Sequence, residues 1–345
     1  LIEQYVQALI QEIKFTPTDD QGLETVYFGG GTPSLLTAEQ VNRVMTALEK
    51  RFGIKAAAEV TMECNPGTIS LETLRGYRQA GVNRISLGVQ AFQEELLALC
   101  GRSHGVQEVY EAVEAIKRTD FQNFSVDLIF GLPHQTMEHW HASMQAALDL
   151  EPQHISAYDL ILEEGTPFER DYQPGTTPLP SEDQSVAMYC EMLQFLPSRG
   201  YTLYEISNFA QPGYASRHNQ VYWKNESYYG LGLGATGYVR QQRVTRPRKL
   251  VDYFNFVAQD TFPEEAPTSI EDQLAETLML GLRLVQGISL EQLEKTFGKD
   301  SVVRVLSQCK GFIQRGWMEI TGEQRLCLTV PTGFLFSNEV LVELL

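Results

Sequence analysis

Short apolar, β-prone runs alternate with longer amphipathic stretches along the first part of the chain. The strand-like runs are TVYFG (25–29), EVTMECN (59–65), RISLGVQ (84–90), FSVDLIFG (124–131), HISAYDLIL (154–162) and, less regular, YTLYEISNFA (201–210). Apolar positions at helical spacing fill the gaps, at about 37–51, 70–80, 93–100, 105–119, 136–149 and 181–199. Repeated βα units with Val/Ile/Leu-rich strands predict an α/β fold with a parallel sheet under helices. Six such units in a row predict a partial (β/α)6, TIM-like barrel, over residues 1–240.

Beyond residue 240 the pattern changes. The stretch RPRKLVDYFNFVAQDTFPEEAPTSIED mixes proline and charge and predicts a linker over 241–265. Residues 266–345 alternate apolar helical turns with a late strand pair, WMEI and RLCLTV, as a small helical, winged-helix-like module would. The opening LIEQYVQALIQEIK is itself an amphipathic pattern, entered without an initiator Met or a capping residue, so a preceding segment is expected.

Charge narrows the function classes. The 345 residues carry 44 acidic and 27 Lys or Arg side chains, a net charge of −17. That balance argues against a nucleic-acid binder and against adsorption to anionic lipid. No apolar run approaches the ~20 residues of a membrane span, and no signal peptide is visible. Cys64, Cys100, Cys190, Cys309 and Cys327 are scattered, with no C-x-x-C among them, as suits reduced and mostly buried thiols in a cytoplasmic protein.

The candidate chemistry sits at strand ends, where ligands of parallel α/β folds gather. Gly29, Gly30 and Gly31 follow the first strand. A phosphate loop is improbable there: no Lys-Ser/Thr follows, position 34 is serine, and Pro33 removes an N–H. Glu63, Gln90, Asp127, Glu205 and Asn208 place polar groups at the ends of successive strands, which predicts a shared polar site. Cys64 adjoins it but is expected to be only a small buried side chain.

The blocks YFGGGTPSLL, ECNPGT, GVNRISLGVQAF, SVDLIFGLPHQT, YEISNFAQPGYASRHNQVYW and YYGLGLGATGYV resemble the radical S-adenosylmethionine (SAM) superfamily. The branch is that of the oxygen-independent coproporphyrinogen III oxidases and the related haem chaperones, and the late LTVPTGFLFSNEV resembles the end of its C-terminal module. The resemblance implies a radical SAM barrel in which Gly29 to Thr32 meet the methionine end of SAM. It implies that Glu63, Gln90, Arg102 and Asp127 contact the same cofactor. Taken alone, Arg102 reads equally as an exposed cation at a helix end. The superfamily's [4Fe–4S] cluster needs three cysteines in C-x-x-x-C-x-x-C, which the resemblance puts upstream of Leu1; none of the five cysteines here can replace them.

RHNQVYW (217–223) matches the H-N-x-x-Y-W motif associated with haem binding in the chaperones. By that resemblance His218 would ligate haem iron, with Asn219, Tyr222 and Trp223 lining the macrocycle; a hydrogen-bonded loop histidine is the plainer alternative. Three functions follow. The first is a haem chaperone passing haem to recipient haemoproteins, membrane respiratory proteins among them, and peripheral to a membrane only through such a partner. The second is oxidative decarboxylation of coproporphyrinogen III. The third is a silent member that binds SAM and a protein partner. The motif favours the first.

Overall fold

Side chains alternate between two very different faces of the main sheet, and that alternation sets the architecture. In the computed structural model, which describes residues 1–263 and 266–344, the first half runs α1 (Ile2–Phe15), β1 (Leu23–Phe28), α2 (Ala38–Phe52), β2 (Ile54–Cys64), α3 (Leu71–Gln79) and β3 (Arg84–Gln90). There follow α4 (Glu94–Leu99), α5 (Val106–Arg118), β4 (Phe124–Phe130), α6 (Met137–Asp149), β5 (His154–Asp159), α7 (Pro167–Asp171), α8 (Glu182–Ser198), β6 (Thr202–Glu205) and β7 (Asn208–Ala210). Val60, Met62, Ile85, Leu87, Val126, Leu128 and Ile155 point outward and are buried beneath the helices. The intervening Thr61, Glu63, Arg84, Ser86, Ser125, Asp127, His154 and Ser156 form a polar inner face. A flat parallel sheet buried on both sides would read as a continuous apolar run, so this alternation is the mark of a curled half-barrel.

Local sequence starts and stops the helices. Thr37 with Gln40, and Ser181 with Gln184, close capping boxes at the starts of α2 and α8. Gly53, at φ +72°, ends α2 and turns the chain directly into β2.

The sheet order is β1-β2-β3-β4-β5-β7-β6. β1 to β5 pair in parallel, as the repeated βα pattern predicts. The sixth run differs from its expectation as one strand. It is a tight hairpin, with β7 antiparallel to both β5 and β6. The Glu205 carboxylate closes the turn, accepting from the Ser207 N–H and the Asn208 side-chain amide. β6 keeps the direction of the first five strands but stands one place further out.

Residues 241–265, read from composition as a linker, contain half of a hairpin, β8 (Thr236–Val239) with β9 (Gln242–Thr245), and then α10 (Leu250–Ala258). α10 is fastened to α1: Glu12, wholly buried, accepts from Arg246 Nε at 2.7 Å, Tyr253 Oη at 2.7 Å and the Gly232 N–H at 2.8 Å. The remainder is α11 (Ile270–Gly281), β10 (Ile288–Ser289), α12 (Leu290–Phe297), α13 (Lys299–Gln314), β11 (Met318–Ile320), β12 (Arg325–Leu328), α14 (Thr332–Leu335) and α15 (Ser337–Leu344). Its antiparallel sheet, ordered β10-β12-β11 behind three helices, has winged-helix topology. Backbone bonds join it to the barrel: the Ile206 N–H donates to Arg283 O at 3.0 Å and the Val285 N–H to Tyr204 O at 3.1 Å.

Candidate functional site

The glycine turn after β1 is shaped by Tyr27. A side chain at Gly29 would lie 2.6 Å from the Tyr27 ring, and Gly30 sits at φ +93°, so neither position admits another residue without strain. At Gly30 and Gly31 an added Cβ would meet nothing within 4 Å, so that side of the turn is open. Thr32 then leads into a short 3₁₀ turn.

Glu63 organises this corner. Its carboxylate accepts from Tyr27 Oη at 2.7 Å and from the Gly30 N–H at 3.1 Å. Burial holds its pKa above the usual carboxylate range, aided by the nearby Asp127 and opposed by the Tyr27 hydrogen bond. Asp127 lies two strands away, bonded to Ser86 Oγ (2.8 Å), Ser156 Oγ (2.7 Å) and Ser125 Oγ (3.4 Å). Burial raises its pKa too, against the pull of the Ser156 and Ser86 hydroxyls and the Arg84 charge.

Gln90 ends β3 at φ +74°, beside a register shift, and Gly88 lets its amide fold back: an added Cβ there would stand 3.0 Å from Gln90 Nε2 and 3.4 Å from Asn65 Oδ1. Arg102 donates to Asn65 Oδ1 at 3.1 Å. The ends of β1 to β4 thus bring Gly29, Gly30, Gly31, Thr32, Glu63, Gln90, Arg102 and Asp127 to one rim. Cys64 faces the other way, 3% exposed under the helices, with its thiol pKa pushed up by burial.

The H-N-x-x-Y-W residues lie on α9 (Arg217–Trp223), with His218 the buried one among them. Ser216 caps the helix, and Glu59 of β2 accepts from the backbone N–H groups of Arg217 (3.1 Å) and His218 (3.0 Å). The i, i+4 spacing pairs the motif into two stripes. On one, His218 Nε2 meets Tyr222 Oη at 2.8 Å, while Nδ1 meets Thr25 Oγ1 at 2.8 Å. Burial, with the Arg84 charge, pushes the His218 pKa down to about 4, so the ring is neutral at pH 7. On the other stripe, the Trp223 ring lies 6.0 Å from the Arg283 guanidinium, its Nε1 buried without a partner, and Asn219 joins the cap through its own N–H. His218 and Tyr222 are therefore together, whereas Trp223 is turned toward the C-terminal module.

Sequence reasoning missed four participants. Tyr27 reads as an ordinary strand aromatic, and the serines at 86, 125 and 156 read as neutral strand residues. Their alternation with apolar neighbours was the available signal.

The residues present suit SAM in kind: an open glycine backbone, a carboxylate and a guanidinium for an amino acid's polar ends. They do not suit an iron–sulfur cluster. Among the described residues no group of three or more His, Cys, Asp or Glu can hold a metal ion. Nor is any helix among them long and apolar enough to cross a membrane.

Comparison with known proteins identifies the family. Residues 3–147 match the model of the radical SAM superfamily, and residues 269–336 that of the HemN C-terminal domain. The heme chaperone HemW of Synechocystis sp. is 40% identical over 360 residues, covering 99% of this chain and 87% of that protein. HemW of Bacillus subtilis is 36% identical over 344 residues, covering 98% and 90%. The structure of coproporphyrinogen III oxidase HemN from Escherichia coli superposes with a TM-score of 0.84 at 22% identity, over 99% of this chain and 82% of that one, a likeness of fold. By relatedness along nearly its whole length, the chain belongs to the HemW family of radical SAM proteins.

Proposed function

We propose that this protein is a cytoplasmic haem chaperone, which binds haem at α9 and passes it to recipient haemoproteins, including respiratory proteins at a membrane. The observation that carries the reading is His218. It is a neutral imidazole, the form that ligates iron, and its Nδ1 is held by Thr25 as an orienting partner would hold it. Haem, when bound, offers an iron centre for an axial imidazole and a flat face for aromatic contact. Tyr222, 37% exposed, is the group that must leave Nε2 for His218 to serve. Asn219 and Trp223 stand on the second stripe, away from the His218–Tyr222 face, and would line the macrocycle only after α9 turns.

SAM would be held at the rim, with its amino and carboxylate ends on Gly29 to Thr32 and Glu63, and with Gln90, Arg102 and Asp127 around it. The coproporphyrinogen oxidase reading has only the shared fold in its favour, and one fold hosts many functions.

The test is a haem titration of the full-length protein beside His218→Ala, followed by absorbance. Tight binding that collapses in the variant supports the reading. An unchanged affinity and spectrum removes His218 as ligand. Turnover of coproporphyrinogen without haem binding would replace the chaperone reading with the oxidase.

A further inference from the structure

Deep on the inner face of the half-barrel, an arginine has no carboxylate to answer it. Arg84 opens β3, is 2% exposed, and its Nε–H has no hydrogen-bond partner. Among the described residues no salt bridge involves it. The acids of the inner face are already hydrogen-bonded, Glu63 to Tyr27 Oη and the Gly30 N–H. Asp127 is bonded to three serine hydroxyls, and Glu59 accepts the backbone N–H groups that open α9. Asp127 feels the Arg84 charge at longer range, but no carboxylate among the described residues comes within salt-bridge distance of the buried guanidinium, so it calls for an explanation.

Two more buried polar groups share its condition. Thr61 stands beside Arg84 in the β2–β3 register and His154 faces inward from β5; both are wholly buried, and Thr61 Oγ1 and His154 Nδ1 are unpartnered. The register Ser86–Ser125–His154 sets His154 one inward position above Arg84, across the sheet. The His154 tautomer follows from its other nitrogen. Tyr204 Oη accepts from the Ser216 N–H at 3.3 Å and lies 2.8 Å from His154 Nε2. The arrangement that leaves no phenolic proton unpaired has Tyr204 donating to Nε2, which puts the imidazole proton on Nδ1.

A guanidinium N–H and an imidazole N–H can only donate, and the Thr61 hydroxyl can donate beside them. Among the described residues the unpartnered buried acceptors are committed elsewhere: Asn123 precedes β4, His104 lies between α4 and α5, and the side chain of Asn208 is tied to Glu205 in the hairpin. A water here would bring two protons of its own to a group of donors. A species that only accepts would satisfy all three and cancel the charge.

We propose that Thr61, Arg84 and His154 form an internal binding site for one small anion of halide or formate size, on the inner face below Asp127. The site is separate from the haem and SAM readings and does not depend on them.

Bromide is the probe. Crystals of the full-length protein grown in sodium bromide should show an anomalous peak within hydrogen-bond distance of Arg84 Nε, absent from Arg84→Met and displaced by sodium formate. Water alone between these donors, or bromide only as an adventitious ion at the surface, would overturn the proposal. Should Arg84→Met fail to fold, Thr61→Val carries a second test. At equal ionic strength, bromide should raise the wild-type Tm a few degrees above its value in gluconate, an anion too large for the site. Loss of that difference in Thr61→Val is the expected result, and the same Tm in both salts for the wild type would refute the site.

Discussion

The Tyr27 ring stacks on the His218 imidazole with centroids 4.9 Å apart and planes 14° from parallel, while its hydroxyl donates to Glu63 Oε1 at 2.7 Å. One side chain therefore serves both the rim and the α9 motif, with its polar end at one and its face at the other.

Tyr27→Phe and Tyr27→Leu should separate these roles. Phe keeps the stack and loses the hydrogen bond, so SAM affinity should weaken by about tenfold, the worth of one hydrogen bond to a carboxylate, with haem affinity unchanged. Leu loses both and should weaken both. Calorimetric SAM titration beside a haem titration decides it; equal effects of Phe on the two ligands would break the argument.

Tyr222→Phe removes the hydroxyl that occupies His218 Nε2. Haem affinity should rise by up to about tenfold, since a bond worth about 0.5–1.5 kcal/mol no longer has to break first. A fall in affinity would mean that Tyr222 itself contacts the haem.

Two titrating groups should tilt stability in opposite directions with pH. His218 is held neutral down to about pH 4, whereas an unfolded imidazole takes its proton near the ordinary 6.5. Its contribution, about 3 kcal/mol, is present above pH 6.5 and is lost as pH falls toward 4, so His218→Gln should flatten the acid side of a Tm–pH curve. Burial raises Glu205 to about 7 from 4.5. Its contribution is present below pH 4.5 and is lost as pH rises toward 7, so Glu205→Gln should gain on the wild type between pH 5 and 8. Parallel Tm–pH curves would contradict both assignments.

Glu12 and Arg246, 0% and 2% exposed, form the buried pair that ties α1 to the α10 region. Glu12→Ala should cost about 3–5 kcal/mol in urea unfolding, because it strands a buried guanidinium, whereas the double change to Met at both positions should recover the part owed to that charge but not the part owed to Tyr253 Oη and the Gly232 N–H, which lose their acceptor in both. A small loss in the single variant would show that water reaches the pair.

Much of this molecule is readable from its chain. β1 to β5 and the helices between them follow from apolar spacing, because burial under a helix layer imposes strict periods. The β6–β7 hairpin does not, since its turn, Ile206–Ser207, has no glycine or proline and is closed by a side chain, Glu205. α10 hides within a stretch whose proline and charge suggest a linker, because what orders it is Glu12, far away in sequence. The rim was legible through its misplaced acids and glycines. Tyr27 and Arg84 left only a weak signal, their alternation with apolar neighbours, because it is the curl of the sheet that turns that face into an interior.

β6 is one of the two edge strands of the seven-stranded sheet, and the Arg283–Val285 segment lies along its outer side. Open strand edges pair readily with other chains, so this contact does protective work that no ligand site requires. On the ribosome β6 emerges before the residues that cover it. In that interval the nascent chain is most open to pairing with another copy, and a chain truncated within α11 would stay in that condition permanently.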